Sequence, residues 1–434
     1  MKYQRKPKKI LKLIRTAKLL LLVSITLSVS ASETEIYIGI EKKFSQQIPK
    51  IAFFNIISTS DKKTEIEIKE IVRADIMFSG YLEVVEFEQR IENLSDFIDK
   101  NKAFYPYLLS ISVDVKGDMI EAEANIYNIP QKIKTTKKYT APISQLRRLS
   151  HFISDDIIEK TVNKKFIASS RITFSNNSTG YKEIYIVDYD GENLVRLTDL
   201  KSISLAPKWS VDGKRIYFTT YRYGNPDMAY IEPETGRQRL FSKFQGLNIA
   251  GGFSPDGTEF AVILSRGKDP SLYILNLATK EVKNILDNFG VCASPTFSPD
   301  GKEIAFVSDR AGMPQLYIYN TQTKKTRKLT NFYWVDSPSW SSDGRWIAFS
   351  GRETKNERLN IFLMDPTTSV IKRLTRNEGD NEDPTFSPDS RYIAFISTRN
   401  GTRQIFIMDV DGSRPHLLSK KITANSYTPN WSKN

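Results

Sequence analysis

Five aspartates recur between residues 212 and 389 at a nearly constant spacing. They are Asp212, Asp256, Asp300, Asp343 and Asp389, separated by 44, 44, 43 and 46 residues. Carboxylates at regular intervals could serve acid–base chemistry or hold a metal ion. However, glycine follows directly after the first four. An Asp-Gly pair between two strands is typical of a tight turn, in which the carboxylate binds local amides and glycine adopts positive φ. We therefore predict that these aspartates are scaffold residues.

The other residue types that enzymes use are scarce. The chain has two histidines, His151 and His416, and one cysteine, Cys292. One cysteine cannot form an intrachain disulfide, and this set does not make a clustered His/Cys metal site. The nearest approach to the nucleophile motif G-x-S-x-G is GFSPD at 252–256, which lacks the final glycine. His151 lies on a predicted helix and is interpreted as a surface or packing residue. We expect no catalytic residue, metal or cofactor.

The aspartates belong to a repeat of about 44 residues. Its copies align without gaps and begin at Pro207, Gly251, Pro295, Pro338 and Pro384. A sixth copy begins at Pro429 near the C-terminus, and residues 171–174 resemble the strand that should follow it. Each unit contains four short segments rich in β-branched and aromatic residues, bounded by turn formers. The period predicts an all-β six-bladed β-propeller at 166–434, closed by joining the two chain ends within one blade.

The repeat is absent from residues 32–165, where helical and strand patterns alternate. Strands are predicted at 51–54, 82–87, 107–115 and 119–127, and helices at 61–78 and 143–162. This mixture predicts an α/β domain of two layers, preceded by a short extended segment.

The first 31 residues have the pattern of a secretory signal peptide. Eight Lys or Arg and no acid precede the apolar run 19–29, and small residues stand at Val29 and Ala31. The run is too short for a spanning helix, which needs about 20 apolar residues, so a membrane anchor is the weaker reading. The remainder keeps only +5 of the whole chain's +13, a poor match to nucleic-acid binding. We expect cleavage before Ser32, export to the periplasm and no membrane insertion.

The propeller units resemble the repeat of the TolB family, which belongs to the Tol-Pal envelope system of Gram-negative bacteria. PSWSSDGRWIAF from Pro338 and the Arg-Leu-Thr at 373–375 resemble its pattern P-x-W-S-P-D-G-x-x-I-A-F and R-L-T. The order of leader, extended segment, α/β domain and propeller also matches. Two departures are Gly251-Gly252 in place of Pro-x, and Ser390 in place of the turn glycine.

The resemblance implies a monomeric docking protein without enzymatic activity. It would bind the peptidoglycan-associated lipoprotein Pal through the propeller face that bears the loops before each P-x-[FW]-S, and bacteriocins compete for that face in some species. The candidate positions are Leu205, Asn248, Cys292, Tyr333, Trp334, Glu382 and Tyr427. The N-terminal tail would contact TolA through Glu35, Ile36, Tyr37, Ile38, Gly39, Ile40 and Glu41. The implied roles are outer-membrane integrity and envelope constriction at cell division.

Two alternatives stay open from the residues alone. One is a periplasmic propeller that binds a small ligand or carbohydrate in its channel. The other is a propeller hydrolase, although only Lys433 and Asn434 follow the last motif. The aromatic run at 332–334 also has two readings, as an interface anchor or as packing between blades.

Overall fold

The computed structural model describes residues 48–54, 62–87, 94–266, 269–286, 289–376 and 378–433. The predicted leader and the predicted TolA-binding positions lie outside these residues. Among the helices of the described ranges, none is both long and apolar enough to cross a membrane.

A five-stranded sheet with helices forms the first part of the chain. Its strands lie in the order β2-β1-β3-β4-β5. β1 pairs in parallel with β2 and β3, and the pairs β3–β4 and β4–β5 are antiparallel. The elements are β1 (Lys50–Phe54), α1 (Lys62–Ser79), β2 (Glu83–Phe87), α2 (Leu94–Asn101), β3 (Tyr107–Lys116), β4 (Met119–Asn128), β5 (Ile133–Pro142), a 3₁₀ turn (Ile143–Gln145) and α3 (Leu146–Val162).

Apolar faces explain why α1 and α3 cover this sheet. Ile68, Val72 and Ile76 recur on one side of α1, and all three are fully buried. α1 ends where Gly80 adopts a φ of 65°, as the sequence predicts. The sequence patterns missed two elements, α2 and β5. β5 is a largely exposed edge strand of Lys and Thr, so it lacks the alternation that marks a half-buried strand.

Six four-stranded antiparallel sheets follow and form the blades of the propeller, which confirms the predicted fold class. Blade 1 contains β6 (Arg171–Asn176), β7 (Glu183–Asp188), β8 (Val195–Arg196) and β29 (Ser426–Trp431); blade 2 contains β9 (Ser204–Trp209), β10 (Ile216–Thr220), β11 (Asp227–Ile231) and β12 (Gln238–Ser242); blade 3 contains β13 (Asn248–Phe253), β14 (Glu259–Leu264), β15 (Ser271–Asn276) and β16 (Val282–Asn284). Blade 4 contains β17 (Cys292–Phe297), β18 (Glu303–Ser308), β19 (Gln315–Asn320) and β20 (Thr326–Lys328); blade 5 contains β21 (Trp334–Trp340), β22 (Ile347–Arg352), β23 (Asn360–Met364) and β24 (Ile371–Arg373); blade 6 contains β25 (Asn381–Phe386), β26 (Tyr392–Ser397), β27 (Gln404–Asp409) and β28 (His416–Leu417).

Blade 1 closes the ring with both ends of the propeller sequence. β29 pairs with β6 so that Trp431 lies opposite Ile172. The indole Nε1 of Trp431 donates a hydrogen bond to Ser170 Oγ at 2.8 Å. The closure that the repeat arithmetic predicts is therefore present as a strand pair.

The recurrent aspartates hold the turns between first and second strands. In blade 2, Ser210 Oγ donates to Asp212 Oδ1 at 2.6 Å, and the backbone N–H of Lys214 donates to the same oxygen at 3.1 Å. Blade 6 keeps this geometry with Ser390, at a φ of 62°, in the glycine position. Its hydroxyl accepts a hydrogen bond from the N–H of Asp343 in blade 5. The predicted scaffold role is confirmed.

The helices of the first sheet share a hydrophobic core with blades 1 and 6. Phe78 at the end of α1 packs against Tyr189 and Tyr392, with ring centroids 5.2 and 5.1 Å apart. The Arg391 guanidinium donates to Ser79 O at 2.8 Å. Because Arg391 directly follows the first turn of blade 6, this contact lies on the side of the propeller that carries those turns.

Candidate functional site

Strand direction divides the propeller into two faces. In blades 2 to 5 the first strand ends at an S-x-D-G turn, and in blade 6 at the equivalent turn with Ser390. These turns and the ends of the third strands therefore lie on one side, where the α/β domain packs. The opposite side, the loop face, carries the loops before the first strands and those between the second and third strands. We define it as the described residues of 177–182, 199–204, 221–226, 243–248, 265–270, 289–292, 309–314, 331–334, 353–359, 378–381, 398–403 and 419–426.

The loop face exposes large apolar side chains that the strand pattern does not require. Tyr223 has 60% of its surface exposed and Trp334 has 37%. The exposed members are Tyr181, Ile203, Tyr221, Tyr223, Val291, Met313 and Trp334. Aromatic and large apolar side chains without a partner in the chain are the usual anchors of protein–protein contacts. This composition makes the loop face the candidate functional site.

The loop face also carries cations stacked on aromatic rings. The guanidinium groups of Arg310 and Arg266 lie 3.8 and 5.0 Å from the rings of Phe289 and Phe244. Lys182 Nζ lies 3.8 Å from the centre of the Tyr427 ring, and the guanidinium of Arg403 lies 5.1 Å from the same ring. Stacking restricts these long side chains, so less conformational entropy remains to be lost when a partner binds.

Most of the predicted Pal-binding residues lie on first strands rather than in loops. Leu205, Glu382 and Tyr427 are half-buried in β9, β25 and β29, and Trp334 begins β21. Tyr333 is half-buried and lies beside the guanidinium of Arg352. Glu382 forms an ion pair with Arg403.

The side chains of two predicted contact residues, Asn248 and Cys292, are buried. Asn248 is fully buried, and its Nδ2 donates to the carbonyls of Phe244 and Gly246 at 2.7 and 3.0 Å. It therefore braces the loop before β13 from inside. Cys292 is buried at the equivalent position of blade 4, and burial raises the pKa of its thiol to about 11.

The three aromatic residues at 332–334 differ in their packing. Phe332 packs against Phe349 and Phe362, with centroids 5.7 and 4.8 Å apart, so it is a core residue. Trp334 is the exposed member of the run. Six of the seven exposed anchors were not predicted from the sequence, although apolar residues in otherwise polar loops are a signal for them.

A cavity of about 630 Å³ follows the propeller axis. First-strand residues line it, and Phe166 from the connection to the α/β domain lies at its wall. The Asp383 carboxylate in this lining accepts hydrogen bonds from Ser337 Oγ at 2.7 Å and from the N–H of Thr428 at 3.1 Å. The lining is therefore polar in part, and it is tied together across neighbouring blades.

Gly251, one of the departures from the repeat, has a steric reason. A Cβ at this position would lie 2.4 Å from the carbonyl oxygen of Ala261 and 2.5 Å from Pro295 Cγ. In five other blades the residue before the proline takes a left-handed conformation with a φ of 46–52°. These residues are Ala206, Ser294, Ser337, Asp383 and Thr428. Blade 3 instead brings its first strand close to blade 4, and only glycine fits.

A six-bladed propeller with an α/β domain on one face and exposed aromatic side chains on the other places the chain among the two-domain β-propeller proteins. The model of the TolB beta propeller domain matches residues 158–359 and 323–434. A Tol-Pal system protein TolB of Francisella tularensis subsp. holarctica (strain OSU18) is 31% identical over 306 residues, covering 67% of this chain and 70% of the relative. The chain belongs to the TolB family.

Two further comparisons extend over most of the chain. The Tol-Pal system protein TolB of Francisella tularensis subsp. mediasiatica (strain FSC147) is 25% identical over 402 residues, 89% of each chain. The crystal structure of TolB from Acinetobacter baumannii matches with a TM-score of 0.71 and 25% identity, covering 89% of this chain and 97% of that one. The α/β domain is thus included in the similarity.

Proposed function

We propose that this protein is a periplasmic docking component of a Tol-Pal system and has no enzymatic activity. The observation that carries the proposal is the loop face, which the α/β domain leaves uncovered and which exposes Tyr181, Tyr223, Met313 and Trp334. The partner that we propose for the loop face is the peptidoglycan-associated lipoprotein Pal. In this proposal the protein supports outer-membrane integrity and envelope constriction.

The physical basis of the docking is burial of these anchors against a complementary partner. Trp334 stands at the start of a first strand, so the blade holds its backbone while its ring stays accessible. A rigid platform loses little conformational entropy on association, and most of the burial then appears as affinity. Because hot spots concentrate in Trp, Tyr and Arg, the stacked arginines beside these rings add to the same surface.

The test is direct binding of purified Pal to residues 32–434, measured by isothermal titration calorimetry. We expect Trp334→Ala to weaken Pal binding by about 10-fold or more, the effect of losing one interface anchor of about 2 kcal/mol. Phe104→Ala is the matched control, since Phe104 is an exposed aromatic residue of the α/β domain. Unchanged affinity in Trp334→Ala, or an equal loss in the control, would refute the loop-face assignment.

We further propose that the tail residues 35–41 contact TolA. This part of the proposal rests on membership of the family and on position in the sequence, because the tail lies outside the described residues. It requires that the tail and the loop face can be impaired separately.

A channel ligand is the second candidate, since a cavity of about 630 Å³ is large enough for a small molecule. Native mass spectrometry of the purified protein distinguishes the two. A sugar or peptide retained by the wild type and released by Lys208→Ala, a substitution in the cavity lining, would favour this alternative.

A further inference from the structure

A buried polar cluster joins the α/β domain to blade 1 of the propeller. Asp75 on α1 and His151 on α3 are each 1% exposed, and Asp188 ends the third strand of the blade, β7. Buried ionisable groups are costly unless each finds a partner. These three residues lie at the contact between the two domains, so each of their buried polar atoms needs a partner there.

Asp75 accepts three hydrogen bonds. They come from His151 Nδ1 at 2.8 Å, from Ser154 Oγ at 2.6 Å and from the Tyr189 hydroxyl at 2.6 Å. A carboxylate in this position must accept from the ring nitrogen, so Nδ1 of His151 carries a hydrogen. The protonation state of the histidine is then decided at its other nitrogen.

Nε2 of His151 is buried and has no hydrogen-bond partner among the described residues. It faces Asp188 Oδ2 at 3.8 Å and Asp190 Oδ2 at 3.9 Å. Asp188 Oδ2 is likewise buried without a hydrogen bond within that set. A neutral ring would direct its lone pair at two carboxylates, whereas an imidazolium would direct an N–H toward them. Electrostatics therefore favours the proton.

We assign no metal to this cluster, because a cation from the protein already occupies its edge. The Arg147 guanidinium forms an ion pair with Asp190, and its Nε lies 3.9 Å from Asp188 Oδ2. A divalent ion would have to displace Arg147 or lie against its positive charge. A proton on Nε2 requires no displacement.

We propose that protonated His151 stabilises the contact between the two domains. Its imidazolium links Asp75 of α1 to Asp188 and Asp190 of blade 1. Loss of the proton leaves the ring facing two carboxylates without compensation and weakens the contact. This role of His151 does not depend on the proposed binding of Pal or TolA.

The surrounding charges set the direction of the pH dependence. Burial by itself lowers the pKa of His151, but the hydrogen bond to Asp75 and the charges of Asp75, Asp190 and Asp188 outweigh it, so the pKa is raised. Burial also raises the pKa of Asp155, to about 6. The groups that face the cluster are Asp75, Arg147, Asp155, Arg171, Asp188, Tyr189 and Asp190.

Asp155 connects the cluster to the chain segment between the domains. Its carboxylate accepts hydrogen bonds from the N–H groups of Ala168 and Ser169 at 2.9 and 3.0 Å. Both Asp155 and His151 bind protons more tightly in the folded protein than in the unfolded one. The His151 contribution is complete below about pH 6.5 and is lost as the pH rises through the raised folded pKa.

The chain is well suited to a direct test, since it has only two histidines. ¹⁵N-detected NMR of the imidazoles follows His151 and the exposed His416 in one sample. We expect His151 to stay doubly protonated above pH 6.5 and to titrate above that ordinary value. A His151 ring that is neutral at pH 6 would overturn the proposal.

Urea denaturation between pH 6 and 9 provides the second measurement. We expect the wild-type midpoint to fall as pH rises, and the fall to shrink in His151→Asn, which keeps a donor near Asp75 but cannot titrate. His416→Asn is the matched control and should keep the wild-type slope. The same slope in all three proteins would overturn the proposal. A midpoint that one equivalent of Zn²⁺ raises and EDTA restores would overturn it too, in favour of a metal site. If His151→Asn does not fold, the NMR titration of the wild type still decides.

Discussion

Ring closure by Trp431 can be tested through one atom, its indole N–H. Trp431→Phe removes this donor and the hydrogen bond to Ser170 Oγ, while the aromatic ring remains. Trp209 holds the same motif position in blade 2 and is similarly buried, but its Nε1 has no hydrogen-bond partner within the described residues. Trp209→Phe is therefore a control that differs mainly in whether the removed donor was bonded.

The expected magnitudes follow from these contacts. Both substitutions remove a similar apolar area, so that loss largely cancels in the comparison. At Trp431 the hydrogen bond contributes about 1 kcal/mol. At Trp209 the removal of an unsatisfied buried donor stabilises the folded protein by about 1–3 kcal/mol. Weaker stacking with Arg171, whose guanidinium lies 5.1 Å from the ring, reduces this gain. We expect Trp431→Phe to be less stable than Trp209→Phe by about 1–3 kcal/mol.

Urea denaturation followed by far-UV circular dichroism measures the difference. The two variants should show equal m-values and a lower midpoint for Trp431→Phe. Equal midpoints, or a larger loss in Trp209→Phe, would refute the assignment of the Trp431–Ser170 bond to ring closure.

Two further predictions concern blade 3 and the N-terminal tail. Gly251→Ala should destabilise the protein by about 2 kcal/mol or more, because the new Cβ would lie 2.4 Å from the backbone oxygen of Ala261. Thermal denaturation measures the loss, and an unchanged melting temperature would contradict the close approach. Deletion of residues 33–42 should abolish TolA binding in a pull-down and leave Pal affinity unchanged, whereas loss of both activities would contradict separate sites for the two partners.

Much of the fold could be predicted because the signal is local and repeated. The strand composition and the turn aspartate recur in five copies at a period near 44 residues, and four of these copies have the Asp-Gly pair, so the copies support one another. β5 was missed because it is an exposed edge strand. α2 was missed because it is only eight residues long, although Leu94, Phe97 and Ile98 form an apolar face that packs against the core. The loop-face anchors were missed because isolated apolar residues in loops belong to no pattern.

The sequence by itself determined the number of blades, the turn chemistry and the family, because each is encoded by residues close together in the chain. The tertiary structure decided which loop residues face outward. Asn248 lies three residues before its motif and is buried under its own loop, whereas Trp334 lies four residues before its motif and is exposed. It also decided that His151, Asp75 and Asp188 meet. Asp75 and His151 are 76 positions apart in the chain, and the three residues lie on two helices and a blade. No local pattern brings them together, because their contact depends on how α1 and α3 pack against the first blade.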